Sequence, residues 1–180
     1  MTLAIVLPVA LAACSNASST GGSTTTTRAS GHIGTTSACT LVSPATIQKV
    51  LDRTVKAAEV TNSTVATACT YPSADTSRSS DSVIVAFRGR VTQAVAAGEL
   101  AATRKLQPTI TDVSGSGDTA YAFTSKARGG ETVTTLVTLV DETQVTVSST
   151  ASVAQAEALT QQIFSTLAGE ASSTTTTTAG

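Results

Sequence analysis

Two segments rich in Ser and Thr confine any folded domain to the middle of the chain. Residues 15–37 contain an unbroken run of threonines at 24–27 and few apolar side chains, and residues 174–178 are again all Thr. Such sequences cannot bury enough apolar surface to offset the entropy of ordering their backbone. We therefore expect a disordered tether at 14–37, one domain at 38–168 and a disordered tail at 169–180.

Between these segments, helical and strand-like patterns alternate. Ser43 before Pro44 is typical of a helix start, because Ser caps free amides and Pro has no amide hydrogen to leave unpaired. Apolar and Ala-rich spacing predicts two further helices, at 92–106 and 151–168. Strands are expected at 65–71, 83–88, 109–113, 119–125, 132–140 and 144–149, the last two as a hairpin around residues 141–143. This order predicts an α+β fold, a single domain with its helices packed on a mainly antiparallel sheet.

Alternation along the predicted hairpin indicates which side chains face the core. Val133, Val137 and Val147 are candidate core residues, while Leu136 and Val140 would face the other way. Phe87 and Phe164 lie in apolar patterns and are expected in the core as well. The sequence leaves open which side of the hairpin strands the helices cover.

The N-terminal residues match a membrane-targeting pattern. Residues 3–13 form an uncharged run that is long enough for a signal peptide core but too short to span a bilayer. The run ends in Leu-Ala-Ala-Cys at residues 11–14, which is typical of a bacterial lipobox. We expect a signal peptide at 1–13, starting upstream of Met1 because no Lys or Arg precedes the run, and fatty acylation of Cys14. The mature protein would then be a lipoprotein anchored at the extracytoplasmic face of the cell membrane.

The cysteine count agrees with this location. The chain has three Cys residues, and lipidation of Cys14 would leave Cys39 and Cys69 as a pair in an oxidising compartment. A crosslink between them would close a ring of about 31 residues and stabilise the fold by about 3–4 kcal/mol.

Short motifs in the central region resemble an uncharacterised family of actinobacterial envelope lipoproteins. They are Ala-Cys-Thr-Leu-Val-Ser-Pro at 38–44, Ala-Cys-Thr-Tyr at 68–71 and Gly-Ser-Gly-Asp-Thr-Ala at 115–120. The similarity covers most of residues 38–167, but Arg53-Thr54 stands where the family often has a Gly that ends the first helix. The resemblance implies a surface lipoprotein with a Cys39–Cys69 disulfide, and it brings no established activity.

Few residues are candidates for catalysis or ligand binding. The single His, His32, lies in the tether, so neither a Cys/His metal site nor a Ser-His-Asp triad is expected in the domain. Gly115-x-Gly117-x-x-Ala120 matches a dinucleotide-binding fingerprint in form, but we expect a strand after it, whereas the mechanism needs a helix. Asp112 and Asp118 flank this turn without a partner base. We therefore expect no catalytic residues, no metal and no cofactor.

Basic residues form one weak candidate site, for an anion. Arg88 and Arg90 are expected on one face of a strand, and Arg104 and Lys105 at the end of the next helix, where they could bind a lipid headgroup or cell-wall phosphate. The alternative is an ordinary solvated surface. The chain has 11 basic and 12 acidic residues, so its net charge of −1 provides no positive electrostatic field that would attract nucleic acid.

Location and the lack of catalytic patterns together favour a non-enzymatic role. We expect a membrane-anchored module that binds an envelope protein or a lipid ligand of unknown specificity. The alternatives are an envelope enzyme that uses Asp, Glu or Ser, and an accessory lipoprotein with a structural role. A flat apolar patch would favour a protein partner, an apolar pocket a ligand, and a polar cleft with converging carboxylates an enzyme.

Overall fold

The computed structural model describes residues 38–107, 109–127 and 129–173. They form one domain in which three helices pack against a seven-stranded antiparallel sheet, so the predicted α+β class is confirmed. The helices are α1 (Pro44–Leu51), α2 (Gln93–Leu106) and α3 (Val153–Ser173). The strands are β1 (Glu59–Asn62), β2 (Thr67–Tyr71), β3 (Val83–Arg88), β4 (Thr111–Asp112), β5 (Thr119–Lys126), β6 (Thr132–Val140) and β7 (Thr143–Ser149). Their order across the sheet is β1-β2-β3-β7-β6-β5-β4.

Local side-chain contacts explain where the helices begin and end. Ser43 caps α1 by accepting a hydrogen bond from the Thr46 amide at 3.0 Å, as its position before Pro44 predicted. Asp52 ends α1 in the left-handed conformation, with φ at 54°, and so occupies the conformation that Gly usually takes after a helix. The Gln155 side chain, in the first turn of α3, donates to the Leu51 carbonyl and ties the two helices together.

One side of the sheet, here called the helix face, packs against α1 and α3 and holds most of the core. Side chains from β2, β3, β6 and β7 meet apolar residues of both helices there, and each of them is excluded from solvent. The fully buried members are Ile47, Leu51, Cys69, Tyr71, Val83, Val85, Leu136, Val145, Val147, Ala156 and Leu159. α2 packs on the opposite side, where Val91, Ala96 and Leu139 form a separate small cluster.

The strand register corrects the predicted grouping of hairpin side chains. Val147 pairs directly with Leu136, so both point to the helix face and both are fully buried. Val133 and Val137 point to the opposite side, which makes their predicted grouping with Val147 wrong. The error arose because both sides of β6 carry apolar residues, so alternation alone does not identify the side that the long helices cover.

Some boundaries also differ from the prediction. β1 was not predicted, because its four exposed residues show no hydrophobic alternation. β4 is only two residues long, where five were expected. A short 3₁₀ helix, Thr76–Asp81, lies between the strands expected at 65–71 and 83–88, where no helix was predicted. α3 continues to Ser173, five residues beyond the expected helix end and into the segment assigned to a disordered tail.

The hydroxyl of Thr138 is the one buried side-chain polar atom without a hydrogen-bond partner in the described part of the chain. Replacing Thr138 by Val keeps the side-chain shape and removes a group that folding desolvates without compensation. We expect Thr138→Val to raise the free energy of unfolding by about 1 kcal/mol in urea titrations. The matched control is Thr160→Val, because the Thr160 hydroxyl is equally buried but donates to the Ala156 carbonyl at 2.9 Å. A loss of stability in Thr138→Val would contradict this assignment.

Candidate functional site

The start of the domain is held by a disulfide and a buried tyrosine. Cys39 and Cys69 are bonded, with their Cα atoms 5.5 Å apart, and this links the short 3₁₀ helix Ala38–Thr40 to β2. Two residues further along β2, the Tyr71 hydroxyl donates to the Val42 carbonyl at 2.7 Å and lies 3.3 Å from the Cys39 carbonyl. The motif Cys-Thr-Tyr at 69–71 therefore has a structural role, since the side chains of Cys69 and Tyr71 both hold the segment before α1 in place.

Burial raises the pKa of Tyr71 to about 12, from the ordinary value of 10.0. Because the folded protein holds this phenol neutral more strongly than the unfolded chain does, its stabilising contribution is complete below pH 10 and is lost between pH 10 and 12. We expect the free energy of unfolding to fall by about 2–3 kcal/mol over that range. Burial also raises the pKa of Tyr121, which adds to the same trend. Tyr71→Phe should flatten the pH dependence, and an unchanged slope in this variant would refute the assignment.

The Gly-x-Gly motif is a tight turn before a strand. Gly117 has φ at 141°, and a Cβ atom on it would lie 2.6 Å from the Leu139 carbonyl oxygen. The next residue, Asp118, donates its amide to that same oxygen at 2.8 Å. β5 follows directly, as expected, so the helix N-terminus that dinucleotide binding requires does not occur at this turn.

Arg88, from the candidate anion site, lies in a polar cluster between the sheet and α2. Its guanidinium donates to Glu99 at 2.6 Å and to the Gln144 side chain at 3.0 Å, and the Gln144 amide donates to the other Glu99 oxygen. Burial raises the pKa of Glu99, but the hydrogen bonds from Gln144 and Arg88 and the Arg88 charge outweigh it, so the net shift is downward. The cluster thus neutralises Arg88 with a carboxylate and anchors α2.

The other three basic residues do not converge with Arg88 on one strand face. Arg90 lies beyond the end of β3 with φ at 61°, so its predicted placement on that strand is wrong. Arg104 pairs with Asp112 of β4, both of whose carboxylate oxygens accept from one guanidinium nitrogen. Lys105 follows in the last turn of α2 and is exposed. Arg88 and Arg104 are each paired with a carboxylate of the same domain.

Asp112 and Asp118, the two carboxylates that flank the Gly turn, each have a local partner in the described structure. Asp118 accepts a hydrogen bond from the Asp141 amide and so stabilises the β6–β7 turn. Within residues 38–107, 109–127 and 129–173, no three His, Cys, Asp or Glu side chains lie close enough together to hold a metal ion. None of the described helices is both long enough and apolar enough to cross a bilayer.

The part of the sheet beside α2 is open to solvent. Ile84 lies on β3, two strands from the nearest edge, and yet 41% of its surface is exposed. The register places Ile84 beside Ser148 of β7, which in turn neighbours Thr135 of β6. We call this the uncovered face, and define it by six uncharged side chains: Thr70, Ile84, Ala86, Thr135, Thr146 and Ser148. Ile84 is exposed and the other five are partly buried, and all six point to the side of the sheet opposite α1 and α3.

One side of α2 forms a wall beside this surface. Val95, Ala102 and Leu106 are spaced by seven and four residues and fall on one stripe of the helix, here called the α2 stripe. Glu99 lies on the same side and reaches Arg88 of β3 and Gln144 of β7, so the α2 stripe looks toward the uncovered face. Val95 is 45% exposed and Leu106 is 79% exposed. The α2 stripe forms the wall and the uncovered face forms the floor of a step of uncharged side chains on the surface.

Sequence patterns did not identify this step, because none of its residues stands out in the hydrophobic pattern of its own strand or helix. Ile84 belongs to a strand with apolar residues on both sides, and a helix rich in Ala gives a weak amphipathic signal. One signal was present in the sequence: residues 93–103 carry Glu99 as their only charged residue, although a surface helix normally has a charged outer side.

Comparisons of the chain with protein-family models, curated proteins and solved structures gave no significant match. The resemblance to envelope lipoproteins therefore remains a prediction. The expected signal peptide, Cys14 and the tether lie outside the described residues. The disulfide between Cys39 and Cys69 is present in the domain, as expected.

Proposed function

We propose that this protein is a lipid-anchored extracytoplasmic module that binds a protein partner through its uncovered face and has no catalytic activity. The observation that carries the proposal is the exposure of Ile84 in the interior of the sheet. An interior strand normally buries such a side chain, so its exposure beside five uncharged neighbours favours a contact surface.

The shape and chemistry of this surface favour a protein partner over a small ligand. The face is a sheet of short side chains with a helix on one side, which suits a flat contact and not the enclosure of a small molecule. Hydroxyl groups such as those of Thr135 and Ser148, which hydrogen bond to each other at 3.0 Å, need no charged partner. An interface core is likewise depleted of charge.

Membrane attachment rests on the Leu-Ala-Ala-Cys motif at residues 11–14. A lipoprotein with two or more acyl chains is anchored stably, whereas one chain binds only reversibly. Changing Cys14 to Ser should release the protein from the membrane fraction into the soluble extracytoplasmic fraction. Retention of the variant in membranes, without processing, would refute the anchor.

Partner binding is tested by placing a photoreactive amino acid at position 84 of the full chain in its own membrane. We expect a discrete crosslinked product from position 84 and none from position 65, because Val65 is 67% exposed but lies away from the uncovered face. Thr146→Lys, which adds a charge to the centre of the face, should abolish the product. A position-84 yield no higher than that at 65 would overturn the proposed function.

A further inference from the structure

We propose that the protein partner is a second copy of this chain, and that the two copies pair through their α2 helices across a two-fold axis. This inference rests on the proposed function of the uncovered face. In the pair, the α2 stripes of the two copies pack against each other in antiparallel orientation. Each α2 then also lies on the uncovered face of the other copy.

α2 has two surfaces, mostly of small or apolar residues, that its own domain leaves exposed. Beside the α2 stripe, its outermost side carries Ala94, Gly98 and Ala101 and, at the C-terminal end, Lys105, all exposed. A Cβ atom on Gly98 would meet nothing within 4 Å. The α2 stripe offers larger side chains for contact with another helix, and the small outer residues allow close approach to a flat sheet.

The dimensions of the step match those of the same helix. A helix has a diameter of about 10 Å with its side chains, and 14 residues extend about 21 Å. From β2 to β6 the uncovered face spans four strands, or roughly 14 Å between the outer strands, and one or two side chains along each. α2, which forms the wall of the step in one copy, therefore has the right size to lie on the uncovered face of the other copy.

The position of both surfaces on one side of the sheet favours a closed dimer. Two surfaces on opposite sides of a molecule would join copies head to tail into a filament, whereas adjacent surfaces can satisfy each other around a two-fold axis. Glu99 is paired with Arg88 within each copy, and the exposed Lys105 lies in the last turn of α2, so an antiparallel pair places the two copies of Lys105 at opposite ends of the contact. The two helices would then fill one layer between two sheets.

The area of contact predicts a weak dimer in solution and a stronger one on the membrane. Half the surface of α2 and the uncovered face amount to roughly 600 Å² per copy, against about 800 Å² per partner in stable complexes. A lipid anchor would confine both copies to one surface and raise their effective concentration. The inferred pair and the expected anchor are therefore compatible.

Disulfide trapping tests the inference in the full chain. Because Ala102 lies near the middle of α2, an antiparallel pair brings the two copies of this residue close to the two-fold axis. We expect Ala102→Cys to form a disulfide-linked product of twice the chain mass in membranes under a mild oxidant. The matched control, Val65→Cys, should yield at least ten-fold less, and adding Ile84→Lys to Ala102→Cys should suppress the product.

The outcomes separate this inference from the proposed function. An Ala102→Cys yield equal to that of Val65→Cys would overturn the two-fold pair, as would an unchanged yield after Ile84→Lys. A photocrosslinked product from position 84 with a mass other than twice that of the chain would also overturn it, while leaving a partner-binding module in place. Thermal melts of Ile84→Lys should match the wild type, since the residue is already exposed.

Discussion

Gly117→Ala is expected to lower the free energy of unfolding by about 3 kcal/mol or more. The added Cβ would lie 2.6 Å from the Leu139 carbonyl oxygen and 2.9 Å from a methyl carbon of Val140. Both contacts belong to β6, which pairs with two strands and cannot shift cheaply. The positive φ of 141° adds backbone strain for any residue with a side chain. Urea unfolding at neutral pH measures the loss.

Gly115→Ala is the matched control for this variant. Gly115 also has a positive φ, at 81°, but a Cβ atom there would meet nothing within 4 Å. Gly115→Ala should lower the free energy of unfolding only by the cost of holding a residue with a Cβ at positive φ, about 1–2 kcal/mol. Equal losses for the two variants would show that the close approach of β6 to Gly117 does not determine this turn.

Removing the disulfide is expected to cost about 3–4 kcal/mol. Cys39 and Cys69 are 30 residues apart in sequence, and their bond restricts the unfolded chain across α1 and β1. Cys39→Ala with Cys69→Ala avoids placing a polar hydroxyl at the fully buried position 69. Chemical denaturation of the double variant, and of the wild type with a reductant, should give similar losses. A loss below about 1 kcal/mol in both would contradict a stabilising role for the bond.

The fold was predictable where local patterns are strong. Ser43-Pro44 identified the start of α1, and the helix expected at 92–106 matches α2, which Thr92 caps. The β6–β7 hairpin was expected from its turn, where Asp141 and Glu142 both have positive φ, a geometry that matches the twist of the flanking strands. Edge strands gave weaker signals, because β1 buries no side chain and β4 has only two residues.

The surface step was less predictable, because exposure depends on what packs above a residue and not on its own type. Ile84 and Val85 are neighbours with similar hydropathy, yet Val85 is fully buried under the helices and Ile84 is 41% exposed. The sequence did not predict the ion pair between Arg88 and Glu99 either. Arg88 and Glu99 are eleven residues apart, and only the packing of α2 on the sheet brings them together.

Hydroxyl-radical footprinting of the full chain measures whether the uncovered face is a contact surface on the membrane. Oxidation of Ile84, Val95 and Leu106 is compared between protein in its own membrane and dilute, detergent-extracted protein, with Val65 as the exposed internal reference. We expect strong protection of these three residues in the membrane and equal oxidation of Val65 in both samples. Equal oxidation of all four residues in both samples would contradict it.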